Sequence, residues 1–332
     1  MLRYLAVRFL TMLSTLAVIS VLVFTIIQLP PGDYLTSYIA ELRAEGETNT
    51  DEKVAFLREM YGLDRSLPEQ YLTWVSDFAR GDFGYSFEYQ RPVSEVVGDR
   101  LFLTMVLNFA TVFFIYLVAF PVGLYVAARQ HSAADHGLTL LGYLGLATPN
   151  FLLALILLYV SNAVFGVSIG GLMDPAYMDE GWSAAKIVSL MTHLIVPVVV
   201  IGMSGTAAMI QRLRANLLDE LRKPYVVAAR ARGLPEGRVM RKYALRSALN
   251  PFVSDIGDLL PQVVSGSVII SVIMSLPTTG PMLLSSLRSQ DMYLAGSFLM
   301  FLAILTVAGM LVSDIVLAFV DPRVRLAGAR RR

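Results

Sequence analysis

Two carboxylates, Asp258 and Asp314, stand inside otherwise apolar runs of this 332-residue chain. Two aspartates that share a proton can activate water against a peptide bond, so an intramembrane aspartyl protease is the first chemistry to weigh. Position argues against it. Asp258 falls about one turn from the polar start of its run, and Asp314 about two turns from the polar end of its own, where an arginine can pair with it. Ile256-Gly257-Asp258 also lacks a fuller Gly-x-Gly-Asp setting. His131, His136 and His193 show no metal-ligand spacing, so no metal is expected. None of the four lysines follows a glycine, which removes a Gly-Lys-Ser/Thr phosphate loop and with it a P-loop route to ATP hydrolysis. There is no cysteine, hence no disulfide and no thiolate chemistry. An ion-coupled secondary carrier would place acids near the midplane of broken helices, and that signal is weak here.

The elements that hold these residues are membrane helices. The chain is 55% hydrophobic and 16% charged, against about a quarter charged in a soluble domain. Mean hydropathy is +0.60. A net charge of +1 points to no nucleic acid and no acidic substrate. Six runs are long enough to span, at 9–29, 101–127, 138–165, 191–211, 256–276 and 295–319. The first is too long for a signal peptide, and no small-residue cleavage site follows it, so it reads as retained. The head, the second and fourth loops and the tail carry 18 Lys and Arg, whereas the short loops 166–190 and 278–294 carry only Lys186 and Arg288. This asymmetry puts both termini in the cytoplasm. The expected layout is an all-α integral membrane protein with a tail and first helix over 1–29, a small helical extracytoplasmic loop domain over 30–93, a core over 94–320 and a basic cytoplasmic tail over 321–332. Within the loop, 41–53 is polar and reads as mobile, and a helix is expected through Tyr71, Trp74 and Phe78.

Several spans carry prolines, which free backbone groups that neighbours or water must satisfy. Pro121, Pro149, Pro197 and Pro261 are the positions. Such kinks suit helices around a path, although a packed bundle with ordinary bends also accommodates them. Asn108, Gln262 and Ser265 are the polar groups expected to face a path, with Gly266 and Ser267 offering a small face for close helix contact.

The polar block 223–251 lies between the fourth and fifth spans and should face the cytoplasm. Pro224 suits the first position of a short helix, Gly233 its left-handed cap, and Pro235 prevents continuation. A second helix is expected from about 236 to 249, stopping at Asn250-Pro251. Small residues followed by a glycine-capped turn let another protein approach the backbone closely. Alternatively the block only anchors the cytoplasmic side by charge. A DNA-reading helix pair is disfavoured, because the block lies too close to the bilayer to enter a groove.

Met1-Leu2-Arg3-Tyr4, Pro31-Gly32-Asp33, Tyr61-Gly62-Leu63-Asp64, Gly81-Asp82-Phe83-Gly84, Arg91-Pro92-Val93, Thr148-Pro149, Ala229-Arg230-Ala231-Arg232-Gly233-Leu234 and Asp321-Pro322-Arg323-Val324-Arg325 together make a specific set spread over nearly the whole chain. With them the sequence resembles the permease subunits of ABC importers in the dipeptide/oligopeptide branch, and among these the B-type subunit. The resemblance implies a type I permease fold in a bacterial or archaeal plasma membrane. It implies that 223–251 docks in a groove on an ATP-binding subunit, with Ala228, Ala229, Gly233 and Leu234 in the coupling contact and Arg230 and Arg232 as polar contacts. It further implies a homologous second permease, two ATP-binding subunits carrying ATP and Mg, and an extracytoplasmic binding protein. The chain itself would bind no cofactor. Two departures stand out. Val227 occupies the place of the Glu in the general Glu-Ala-Ala-x-x-x-Gly pattern, and Pro277-Thr278-Thr279-Gly280 replaces a common Pro-Gly-x-Gly. The second leaves cargo open between short peptides and short oligosaccharides.

Overall fold

A computed structural model describes residues 2–28, 65–86, 88–178 and 180–320 of the chain. The expectations for 30–64 and for the tail 321–332 lie outside these described residues, as does the side chain of Asp258. The long apolar runs leave the backbone no polar solvent to bond with, and helices satisfy it internally. Helix α1 (Leu2–Gln28) is followed, after the first stretch outside the described set, by α2 (Leu67–Arg80) and a two-residue antiparallel hairpin, β1 (Tyr85–Ser86) with β2 (Arg91–Pro92). Then come α3 (Val93–Ala128), α4 (Ala133–Ala147), α5 (Asn150–Phe165) and α6 (Ala184–Leu221). Short α7 (Pro224–Ala231) and α8 (Glu236–Val239) lead through a wider π turn (Met240–Ala244) into α9 (Leu245–Ser254). The chain finishes with α10 (Ile256–Ile273), α11 (Thr279–Arg288) and α12 (Met292–Val320).

Among the described residues, four helices are long and apolar enough to cross a bilayer: Tyr4–Gln28 of α1, α3, α6, and Met292–Val316 of α12. The third apolar run differs from the single helix expected over 138–165. It forms α4 and α5, whose axes meet at 98°. Pro149 is the cause. The residue before a proline is pushed out of the helical region, and Thr148 is extended, at φ −86° and ψ 119°. Pro121, Pro197 and Pro261 remain inside helices. At the Pro149 corner, Asn150 Nδ2 donates to the Ile201 carbonyl at 3.1 Å and to Ser204 Oγ at 3.2 Å, which docks the break on α6. The fifth run is also short of expectation. Its apolar helical part is Leu259–Ile273, about 22 Å at 1.5 Å per residue, against a hydrocarbon layer of about 30 Å.

The described residues form two compact units. One takes in residues up to Leu10, Met105–Pro277 and those from Ala308 on. Its axis is α6, against which α4, α5, α9 and α10 pack. Glycine lets α3 come close: a Cβ on Gly205 would lie 2.9 Å from Ile115 Cδ1, and one on Gly202 3.0 Å from Phe114 Cδ1. Arg214 of α6 reaches the buried Asp135 of α4 with two bonds, of 2.7 and 2.8 Å.

The other unit comprises Thr11–Thr104 and Thr278–Val307. Helix α2 lies on α1 through Tyr71 and Trp74, whose rings stand 5.5 and 6.0 Å from Phe24. The helix expected through Tyr71, Trp74 and Phe78 is therefore present. The hairpin is pinned by the buried Asp291, which accepts from Ser86 Oγ at 2.6 Å and from the Glu88 N–H at 3.2 Å. Its other oxygen accepts from the Leu294 N–H and caps α12.

Candidate functional site

The polar block folds as an elbow. Helix α6 ends at Leu221, and Pro224 opens α7 two residues after its last turn. Gly233 then takes φ +76°, the left-handed region in which a side chain is strained. Its N–H donates to the Arg230 carbonyl at 2.8 Å, and Pro235 supplies the carbonyl on which α8 starts. The second arm does not stop at Asn250-Pro251 as expected. After the π turn it continues as α9 to Ser254, with Pro251 inside the helix. Tertiary contacts override the local breaker: the Tyr116 hydroxyl of α3 donates to the Phe252 carbonyl at 3.0 Å, and its ring meets that of Phe252 edge-on at 4.9 Å.

A small apolar core holds the elbow to the rest of the unit. Val226 and Ala229 from the first arm meet Val239, Ala244 and Ala248 from the second. Both sets pack on Ala127 of α3 and Leu217 of α6. Leu234, at the bend, packs on the same cluster from its edge. Two ion pairs brace it. Arg230 grips Glu236 across the bend at 2.5 Å and reaches back to the Leu221 carbonyl at 3.3 Å. That guanidinium holds the Glu236 carboxyl below the usual carboxylate range. Asp255, just beyond α9, meets Arg212 of α6 at 2.5 Å. The elbow thus leaves α6 covalently at Leu221 and returns to it electrostatically at Arg212.

The outer surface is bare. Tyr225 is 42% exposed and Val227 53%, and Ala228, Ala231, Arg232 and Gly233 are exposed beside them. A Cβ on Gly233 would meet nothing within 4 Å, so its glycine answers to backbone conformation and not to crowding. Of the six residues expected at a coupling contact, Ala228, Arg232 and Gly233 present themselves outward. Ala229 points into the elbow's own core, Leu234 rests half-buried on it, and Arg230 is engaged internally. Sequence reasoning did not single out Tyr225 or Val227 as contact surface. Tyr225 donates its hydroxyl to Glu220, which fixes the ring outside the core.

The expected path residues differ in exposure. Gln262 and Ser265 are exposed on α10, with Ile269 57% exposed one further turn along and open space at Gly266. They form one helical strip that this chain leaves uncovered. Asn108 is enclosed in α3, 1% exposed, with neither its Nδ2 nor its Oδ1 partnered. It does not share that strip. Asp314 meets Arg8 at 3.2 Å, the arginine pairing expected of it. Among the described residues no group of histidines and carboxylates could hold a metal ion.

Comparison with known proteins bears on this arrangement. The family described as "Binding-protein-dependent transport system inner membrane component" matches residues 119–326, and its N-terminal membrane component matches 1–108. Similar relatives include the oligopeptide transport system permease protein AppB of Bacillus subtilis, 32% identical over 98% of this chain and 99% of the relative. The dipeptide transport system permease protein DppB of Lactococcus lactis is 29% identical, over 98% and 100%. The glutathione transport system permease protein GsiC of Salmonella choleraesuis is 28% identical, over 98% and 99%.

Proposed function

The chain belongs to the family of binding-protein-dependent transport system inner membrane components, and from that premise we propose how it works. It is a multi-pass permease subunit of an ABC importer, a transporter component and not itself an enzyme. Its own part is half of a translocation path, completed by a homologous second permease through the uncovered strip of Gln262, Ser265 and Ile269. Two ATP-binding subunits carry ATP and Mg. An extracytoplasmic binding protein delivers the cargo. Short peptides are the favoured cargo over short oligosaccharides, since the relatives are named for oligopeptides, dipeptides and glutathione.

The proposed layout is the one expected from the sequence. A tail and first helix over 1–29 precede an extracytoplasmic loop domain over 30–93, a five-span core over 94–320 brings the count to six with the first helix, and the basic tail 321–332 and both termini face the cytoplasm. In this reading α4 with α5, and the short α10, supply the third and fifth spans.

One observation carries the coupling role: the elbow is fixed to α6 at both ends yet shows a bare face at Tyr225, Val227, Ala228 and Arg232. A surface so placed passes displacement of a partner into a long helix. Gly233 and Leu234 set the bend, Ala229 seats it, and Arg230 holds its arms at a fixed angle. Closure of the ATP-binding subunits then favours one arrangement of the half-path over the other, by no more than their differential affinity for the two. The protease alternative loses ground because Asp314 is already paired with Arg8. No observation favours an ion-coupled carrier.

The absence of cysteine makes the test clean. A single Ala228→Cys chain in the assembled transporter should be labelled by a membrane-impermeant maleimide only from the cytoplasmic side, and should crosslink to an ATP-binding subunit. Labelling from outside, or crosslinks that never reach that subunit, would overturn the assignment.

A further inference from the structure

A polar concavity lies where α4 meets α6. It is a groove of about 290 Å3. At one end stand His131, Asp135, His136 and Arg214, and from there the groove runs past Thr139 to Leu140 and Tyr143 on successive turns of α4. Leu140 is 61% exposed and Tyr143 58%, on a face of α4 that no element among the described residues covers. The groove is therefore polar at its head and apolar along its length, the shape of an amphiphile.

The hydrogen-bond inventory says which charge the head takes. Asp135 is saturated: it accepts from Arg214 Nε and Nη2, from the His131 N–H at 2.9 Å and from Thr139 Oγ1 at 3.4 Å. No acceptor capacity remains there for an ammonium. Arg214 keeps its Nη1 hydrogens, since its contacts with Asp135 use Nε and Nη2. His136 Nδ1 faces the Ser132 carbonyl at 2.8 Å, so it carries the hydrogen there. Its Nε2 becomes a donor once the ring is protonated. The imidazole of His131 adds a further ring nitrogen to the wall. The head end thus offers the Arg214 Nη1 hydrogens, joined by ring N–H donors when the imidazoles carry charge.

We infer that this groove binds an anionic phospholipid, with its phosphate against His131, His136 and Arg214 and an acyl chain along Leu140 and Tyr143. Charge-assisted bonds to the phosphate oxygens hold the headgroup, and the apolar turns of α4 hold the chain. Only the assignment to the inner leaflet rests on the orientation proposed above. The other charged groups at the site are Asp135 and Arg214, which already neutralise each other, and Tyr143 contributes a phenol.

Native mass spectrometry of the purified whole transporter tests this. With added phosphatidylglycerol, the wild type should retain one more lipid than the His131→Ala/His136→Ala variant. Phosphatidylcholine should not substitute. The apparent affinity should drop about tenfold in the variant. Arg214 is left intact, because its removal strands Asp135. A Tyr143→Ala variant should weaken long-chain but not short-chain phosphatidylglycerol, and the comparison with phosphatidylcholine needs no substitution at all. Equal retention by wild type and double variant, or equal binding of phosphatidylcholine, would overturn the inference. So would displacement of the lipid by millimolar inorganic phosphate, which would assign the site to a free anion. A reversed orientation would leave these lipid counts unchanged and would show only in the Ala228→Cys labelling.

Discussion

Replacing Gly233 separates backbone strain from contact more cleanly than any other change in the elbow. Its φ is +76°, and a Cβ there would find no heavy atom within 4 Å. The surroundings therefore add no steric cost, and the penalty comes from the backbone alone. For a residue with a Cβ in the left-handed region this is roughly 1–2 kcal/mol, more for a β-branched side chain and least for asparagine. The long spans hold the membrane fold, so a local loss of this size should leave assembly intact. Yet about 2 kcal/mol shifts a two-state balance by roughly 30-fold, enough to depopulate the native bend. The assay is cargo uptake and cargo-stimulated ATP hydrolysis by the reconstituted transporter carrying Gly233→Asn, Gly233→Ala or Gly233→Val. Coupling should fall in that order, with asparagine close to wild type and valine lowest, at equal assembly. A valine variant that couples normally would refute the reasoning. So would an asparagine variant as poor as valine, since contact and not conformation would then be at stake.

Two further outcomes follow from the braces. The Arg230–Glu236 pair is largely exposed, so Glu236→Gln should cost less than about 1 kcal/mol in stability while loosening the angle between the arms. Because the folded Glu236 carboxyl is held below its usual range, the pair contributes fully above about pH 4.5 and fades only as pH falls through that lowered value. Coupling in the wild type should accordingly be unaffected by this pair between pH 8 and 5, and a loss within that window that Glu236→Gln abolishes would contradict it. Arg212→Met should lower thermal stability by about 1–3 kcal/mol, the cost of leaving a largely buried carboxylate without its charged hydrogen bond. It should also reduce coupling, and the exchange Arg212→Asp with Asp255→Arg should restore part of both; an exchange no better than the single change would sink the brace.

Much of the elbow was legible in the chain because its signals are local. Pro224, Gly233 and Pro235 each dictate a backbone conformation by their own chemistry, and the bend sits where they put it. The outward or inward sense of each alanine was not legible. Ala228 and Ala229 are chemically identical neighbours, and only the packing of Ala229 on Leu217 and Ala248 decides between them. The same holds for Pro251. Its local message is to stop, but Tyr116 and Phe252, 136 residues apart in sequence, carry the helix through it. Pro149 gave the opposite result from Pro121, Pro197 and Pro261, and the difference lies in Asn150, whose amide finds Ile201 and Ser204 on α6. The polar residues of the apolar runs were read as one group. Burial separates Asn108 from Gln262 and Ser265, and periodicity within each helix carries no information about its neighbour.

The elbow and α6 close a ring, joined by the main chain at Leu221 and by the ionic clasp of Arg212 with Asp255. A lever hinged at one end dissipates a push by swinging freely. A closed ring cannot, because either arm can rotate only by dragging the helix that completes the circuit. On the coupling role proposed above, force arriving at Tyr225 or Val227 would be delivered as torque to α6, and through Asp255 to the start of α10, which begins at the very next residue. On the proposed coupling role, the Arg212–Asp255 clasp would add an ionic link to the packing that gears a partner's stroke to the strip that carries Gln262.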